Sequence, residues 1–261
     1  MPANASQFSA LLIDIDGVIR QGSNPVPGAV EAVIRLRRSG IPLRFVTNTS
    51  TMSRRSLRSE LQTMGFDLEE SEILSAPAAV ADYLRNSNDA SCFLIAKGDV
   101  ADDFAGISLD SDRPAAVVVG GAEENFTYEA MNRAFQHILA GAELIAIHRN
   151  AYWRVGEDLW LDAGAYVAAL EFATGTRAKL FGKPAHDFFA QAVTGLGVPA
   201  HRVLMVGDDA VSDVAGAQEA GLASALVQTG KFRPRDLARP DFRPDLVATS
   251  IAALVDHLLL T

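Results

Sequence analysis

Short apolar, β-prone runs alternate with helix-length amphipathic segments along the whole chain, and that order leaves few folds open. Strand-like runs fall at residues 11–13, 41–46, 91–95, 115–119, 143–147, 178–181, 202–206 and 224–227. Between them the pattern predicts helices over 28–39, 53–64, 77–84, 128–139, 186–196, 214–219 and 251–260. Gly40 and Gly65 stop the first two helices, and Pro77 sits in the first turn of the third, where its missing N–H costs nothing. Parallel strands need long crossovers, and helices supply them. The βαβα order therefore predicts an α/β fold built on a mainly parallel sheet. The polar stretch Asn86-Ser87-Asn88-Asp89 reads as a surface connection near a domain boundary, and the proline-rich residues 233–244 read as a long surface loop.

At 261 residues, 49% of them hydrophobic, the chain suits one large domain or two of ordinary size and can fill a core without staples. A formal net charge of −9 argues against a nucleic-acid partner, which needs a basic face, and against an anionic membrane surface. The lone Cys92 lies within a strand-like run and reads as core packing. The first residues are small and polar, with no basic segment leading into an apolar stretch, and no apolar run approaches the roughly 18 residues of a membrane span. A cytoplasmic location is the expectation.

Chemistry is concentrated where strands end. The run Leu11-Leu12-Ile13 leads into Asp14-Ile15-Asp16-Gly17, which sets two carboxylates at the carboxyl edge of a buried strand, where α/β folds bind ligands. Two such charges about 4 Å apart repel by about 4 kcal/mol at an effective dielectric near 20, so a divalent cation or a shared proton is expected to offset them. Three further strand ends complement the pair: Thr47-Asn48, Gly182-Lys183-Pro184, and Gly207-Asp208-Asp209 with Asp213 beyond it. Each has a plainer reading taken singly. Asp14 and Asp16 suit a solvated turn, Thr47-Asn48 an ordinary helix approach, Lys183 a surface charge, and Asp209 and Asp213 carboxylates that favour a helix N-terminus. Jointly they form the set needed for phosphoryl transfer. Carboxylates hold Mg²⁺, a hard cation that prefers oxygen, while a hydroxyl, an amide and a lysine suit phosphate oxygens.

These four motifs, in this order, resemble those of the haloacid dehalogenase superfamily over essentially the whole chain. Roughly 100 residues separate the helix after Thr47 from Lys183, far more than the dozen or so of a βαβ crossover. That insertion resembles the α/β type-2 cap of the subfamily containing nucleotidases and p-nitrophenyl phosphatases. The segments Gly182-Lys183-Pro184, Gly207-Asp208-Asp209 and Thr229-Gly230-Lys231-Phe232-Arg233-Pro234 carry the likeness to one subgroup within it. The resemblance implies a hydrolase core over residues 1–78 and 179–261, built on a Rossmann-like parallel sheet with helices on both faces, and an inserted α/β type-2 cap over 79–178. It further implies a Mg²⁺-dependent phosphatase working through an aspartyl-phosphate on a small phosphorylated substrate. Asp14 would be the nucleophile and Asp16 the acid and base. Thr47, Asn48 and Lys183 would bind the phosphoryl group. The metal would be held by the Asp14 carboxylate, the Asp16 backbone carbonyl and Asp208, with Asp209 or Asp213 in direct contact or just behind. Capped relatives often pair through the cap, so a homodimer is implied as well.

One departure stands out. Many type-2-capped relatives carry Thr-Asn-Pro-Asp after a cap strand, where this chain has Ile147-His148-Arg149-Asn150, which makes His148 and Arg149 candidates for substrate specificity. Tyr152, Trp153 and Trp160 read as packing for a small cap core. Scattered histidines and the absence of paired cysteines argue against a transition-metal site. Gly195-x-Gly197 follows a helix and reads as a helix-end turn, without the strand a dinucleotide fingerprint requires. Two rival functions remain at this point. A phosphomutase or phosphotransferase would hold its aspartyl-phosphate until the substrate turned around. A receiver-like phospho-ligand sensor would store phosphate, with no need of an acid at Asp16 or a cap of this size. A dehalogenase would not need that acid either.

Overall fold

The computed structural model of the protein describes residues 8–109, 111–155, 158–238 and 243–260. Residues 1–7, and residues 239–242 of the expected proline-rich loop, lie outside the described residues. The chain divides into two units, one comprising 1–47, 58–74 and 183–261, the other 48–57 and 75–182.

The chain begins with β1 (Ala10–Asp14), buried at every position, as a continuous apolar run inside a parallel sheet should be. A small antiparallel hairpin, β2 (Arg20–Gln21) and β3 (Asn24–Pro25), follows. Helix α1 (Ala29–Arg38) buries Ala29, Ala32, Val33 and Leu36, spaced along one face, and its last turn carries Arg35, Arg37 and Arg38 against the negative end of the dipole. Next come β4 (Leu43–Thr47), α2 (Arg54–Thr63) and β5 (Ile73–Ser75).

The long segment of the second unit opens with α3 (Ala76–Arg85), capped by Ser75 accepting from the Ala78 N–H. It continues through β6 (Cys92–Ile95), β7 (Ala116–Val119), α4 (Tyr128–Leu139) and β8 (Glu143–Ala146). An antiparallel hairpin, β9 (Tyr152–Val155) and β10 (Asp158–Leu161), precedes α5 (Ala163–Thr174) and β11 (Lys179–Leu180). Four of these strands make a parallel sheet in the order β11-β8-β7-β6. Its core is aliphatic, drawn from these strands and from Ala134, Ile138, Val167 and Leu170 of α4 and α5. Asn86–Asp89 falls inside this unit, between α3 and β6. The aromatic residues expected in the cap core are not there: Tyr152, Trp153 and Trp160 are 60%, 38% and 51% exposed. They belong to the hairpin, outside the four-stranded sheet, where Trp153 and Trp160 meet each other edge to face across the strands.

The first unit resumes with α6 (His186–Val193), β12 (Val203–Gly207), α7 (Gly216–Glu219), β13 (Ala223–Val227), β14 (Leu246–Ala248) and α8 (Ile251–Leu260). Its six-stranded sheet has the order β14-β13-β12-β1-β4-β5, with β1 central and parallel to both neighbours. The α/β architecture expected from the alternating pattern is therefore present. Helix α7 starts later than the sequence suggests, because Ala210–Ala215 first makes a wider, π-type turn in which the Asp213 and Val214 N–H groups share the Asp209 carbonyl. Among the described residues, no helix is long and apolar enough to cross a membrane.

Candidate active site

Register brings the first and fourth motifs side by side. Asp14 pairs across from Val46 in β4, and Ile13 from Val206 in β12, so Asp14 stands level with Gly207 while Thr47 and Asp208 each follow by one residue. All three strands run parallel, so these residues gather at one carboxyl edge of the sheet.

A lysine organises the acids there. Lys183 Nζ lies 2.7 Å from Asp14 Oδ1 and 2.7 Å from Asp213 Oδ1, and all three side chains are buried. Asp14 Oδ1 also accepts the Ile15 N–H at 2.8 Å, so both of these bonds fall on one oxygen. Asp213 Oδ2 accepts the backbone N–H groups of Asp208 and Asp209, which folds the wide turn back onto the strand end. Asp14, Asp208 and Asp213 can each offer one oxygen within 4.8 Å of the others, a grouping that could hold a metal ion.

Charge in this cluster is unevenly balanced: Lys183 pairs with two of the three carboxylates, Asp14 and Asp213, and the charge of Lys231 acts on Asp208. Burial pushes the Asp14 carboxyl well above its usual range, and the charges of Asp213 and Asp208 add to the push against the opposing Lys183. Burial, with Asp213 beside it, raises Asp208 to about 6, although the Lys231 N–H works the other way. Burial alone would lower Lys183; its ion pairs with Asp14 and Asp213 outweigh that and raise it. A buried oxygen, Asp208 Oδ1, finds no hydrogen-bond partner among the described residues. An all-oxygen donor set, excess negative charge and an unpartnered buried carboxylate oxygen are what a hard divalent cation requires, so the residues fit Mg²⁺.

The other expected site residues are placed differently. The Asp16 side chain is 46% exposed; its Oδ1 accepts from Arg20 Nε at 2.8 Å and its Oδ2 from Thr47 Oγ1 at 3.2 Å. Its carboxylate is not part of the Asp14–Asp208–Asp213 grouping. Asp209 caps the following turn, its Oδ1 accepting from the Val211 and Ser212 N–H groups. Burial would raise Asp209, but the Ser212 N–H and the Lys231 charge outweigh it and hold this acid below its usual range. Asn48 belongs to the second unit, where its amide oxygen abuts Gly182. So do His148 and Arg149. His148 is buried, with Nε2 2.9 Å from Ser50 Oγ, which also accepts the Gly121 N–H. Arg149 makes a two-pronged pair with Glu171 at 2.7 and 2.8 Å.

Two groups near the site were given no role in it by the sequence. Arg20, 7% exposed, joins Asp16 to Glu60 through two different nitrogens. An acid-arginine spacing of four (Asp16, Arg20) was the only local signal for it. The loop Thr229–Phe232 reaches Asp208 and Gly17 through contacts that no local pattern announces.

A parallel sheet carrying a lysine-bridged acid cluster at its carboxyl edge, with a second α/β unit inserted in the chain, defines a capped hydrolase of the haloacid dehalogenase type. Comparison with known proteins agrees. The family description haloacid dehalogenase-like hydrolase matches residues 11–109, and a second description, HAD-hydrolase-like, matches 180–254. Phospholysine phosphohistidine inorganic pyrophosphate phosphatase of Rattus norvegicus is 41% identical over 260 residues, which is 97% of this chain and 95% of that one. Haloacid dehalogenase-like hydrolase domain-containing protein 2 of Bos taurus is 39% identical over 257 residues, 98% of both chains. The solved structure of 4-nitrophenylphosphatase from Thermotoga maritima superposes with a TM-score of 0.89 at 28% identity, covering 97% of this chain and 98% of that one. The chain belongs to the haloacid dehalogenase-like hydrolases.

Proposed function

We propose that the protein is a Mg²⁺-dependent phosphatase that cleaves small phosphorylated compounds through an aspartyl-phosphate on Asp14. Support comes above all from Lys183 Nζ, seated 2.7 Å from both Asp14 and Asp213 inside a buried acid cluster. In this reading residues 1–78 and 179–261 are the hydrolase core and 79–178 the type-2 cap. Asp14 Oδ1 accepts from Lys183 and from the Ile15 N–H, which hold the carboxylate in place as the nucleophile. Attack forms an O–P bond and breaks the bond to the leaving oxygen, which takes its proton from Asp16. Asp16, now a carboxylate, takes a proton from the water that attacks the aspartyl-phosphate. Inorganic phosphate leaves and Asp14 is restored. Thr47, Asn48 and Lys183 bind phosphoryl oxygens, and Lys183 also holds Asp14 in place. Asp14, Asp208 and the Asp16 carbonyl would hold Mg²⁺, with Asp213 and Asp209 behind them; the ion supplies charge stabilisation to the phosphoryl oxygens.

The names of the relatives widen the substrate question to P–N and pyrophosphate bonds. A panel of phosphate monoesters, phosphoramidates and pyrophosphate, assayed for phosphate release with Mg²⁺, tests the reading. Multiple turnovers on any of these substrates support it. Stoichiometric labelling without turnover would refute it in favour of a phosphate-storing protein.

A further inference from the structure

The carboxylate of Asp208 lies in a slot lined by two glycines. A Cβ at Gly17 would fall 2.0 Å from Asp208 Oδ2, and one at Gly230 would fall 1.9 Å from the same oxygen. Both glycines also have positive φ, +90° and +55°, so neither position suits a side chain. The slot is closed by a hydrogen bond from the Lys231 N–H to Asp208 Oδ2 at 2.6 Å. Oδ2 is thus spoken for, and Oδ1 is the buried oxygen left without a partner among the described residues.

The segment that closes the slot is itself held at both ends. Thr229 Oγ1 donates to the Gly17 carbonyl at 2.5 Å, which ties it to the turn after β1 that carries Asp16. Phe232 packs on Ala210, Val214 and Leu226, which ties it to β13 and to the turn beyond β12. A further bond, from the Phe232 N–H to the Thr229 carbonyl, keeps the segment compact. One loop therefore spans three separate parts of the first unit and meets Asp208 at Oδ2.

We propose that Thr229–Phe232 is a positioning strap for the cation site, fixing the Asp208 carboxylate so that Oδ1 is presented to the cation. The proposal rests on the cation reading given above. The strap does not touch substrate and takes no part in proton transfer. Its effect is on how tightly the cation is held. Groups that orient a metal-ligating side chain commonly change affinity about 10- to 100-fold when removed, and that range is expected here.

Mg²⁺ binding to the chelator-treated full chain, measured by isothermal titration calorimetry, tests this without reference to turnover. Thr229→Val removes the hydroxyl that anchors the strap at nearly constant shape, and Mg²⁺ affinity should fall about 10- to 100-fold. Thr229→Ser keeps the hydroxyl and should restore affinity. Gly230→Ala puts a methyl into the slot and should weaken binding at least as much; if that variant does not fold, the Thr229 pair decides alone. Wild-type affinity in Thr229→Val would overturn the strap while leaving the cation reading intact. Equal weakening in Thr229→Ser and Thr229→Val would overturn it too, because the hydroxyl would then not be the anchor. Absence of Mg²⁺ binding in the wild-type protein would remove the cation reading and the strap together.

Discussion

Replacing Arg20 probes the acid-base step from outside the cation cluster. Its Nε bonds Asp16 Oδ1 at 2.8 Å while Nη1 bonds Glu60 Oε2 at 2.6 Å, so one planar cation fixes two carboxylates. Burial works against the guanidinium, but the charges and hydrogen bonds of Asp16 and Glu60 outweigh it and raise its pKa. Arg20→Met would remove the cation that both acids share. Cutting a buried pair costs about 3–5 kcal/mol, yet Asp16 is 46% and Glu60 30% exposed, so water can take over part of the role. About 2 kcal/mol is the reasoned loss, or roughly 4–8 °C in the melting of the unit. Arg20→Lys should not rescue it, since one ammonium cannot serve both carboxylates in this geometry. The kinetic signature is sharper. If Arg20 keeps Asp16 aimed, its loss should cost about tenfold or more in kcat/KM for an alkyl phosphate, whose leaving oxygen needs a proton. p-Nitrophenyl phosphate, with a leaving group that is stable as an anion, should be far less affected. Thermal melts together with phosphate release on the two esters supply the measurements. Equal losses on both would refute the chain from Arg20 through Asp16 to the leaving group.

Three other perturbations follow from the same geometry. Asp14→Asn should lower turnover by about 10³-fold or more while the chain still folds, and in the cation-free protein it should raise the melting temperature at neutral pH by relieving repulsion with Asp208 and Asp213; more than a tenth of wild-type phosphate release would rule it out as nucleophile. EDTA should abolish activity and Mg²⁺ restore it, whereas Ca²⁺, with its looser and higher coordination, should inhibit; undiminished turnover in excess chelator would exclude the metal. Arg149→Ala should destabilise the second unit by about 1 kcal/mol at neutral pH, the range of a partly exposed pair. Its hydrogen bond with Glu171 holds that acid at about 2, so the stabilisation is present above the unfolded carboxyl range and is lost as pH falls toward 2; urea melts of the two proteins should therefore converge in acid.

Much of the fold was legible because its signals are local. Strands β1 and β12 of the first unit are apolar runs, and the polar residue that ends each announces itself, Asp14 after Ala10–Ile13 and Asp208 after Val203–Gly207. The elements that escaped had weaker local signals. Strands β5 and β14 are three residues each, too short for a pattern. Helix α5, AGAYVAALEFAT, has apolar residues almost all round, so no polar stripe marks its period. The β9–β10 aromatics were read as core because ring size is visible in a sequence, whereas exposure depends on which sheet a strand joins.

The site shows the same division at finer scale. Residue type at a strand end reveals which chemistry is present, but the direction of a side chain is decided by partners distant along the chain. Asp208, Asp209 and Asp213 look alike as letters within six residues. In the structure Asp213 is consumed by its ion pair with Lys183 and by two backbone N–H groups, Asp209 by a helical turn, while Asp208 keeps a buried oxygen with neither a hydrogen-bond partner nor an ion pair among the described residues. That distinction is imposed by Lys183 and Lys231, from opposite sides in sequence. Asp16 likewise is set apart from Asp14 by Arg20, which in turn is held by Glu60, forty residues on. A strand-end motif specifies the donors, and long-range hydrogen bonds then sort them into a nucleophile, a proton carrier and a cation ligand. Substitutions at Arg20, Thr229 and Gly230 test that sorting while leaving every motif residue unchanged.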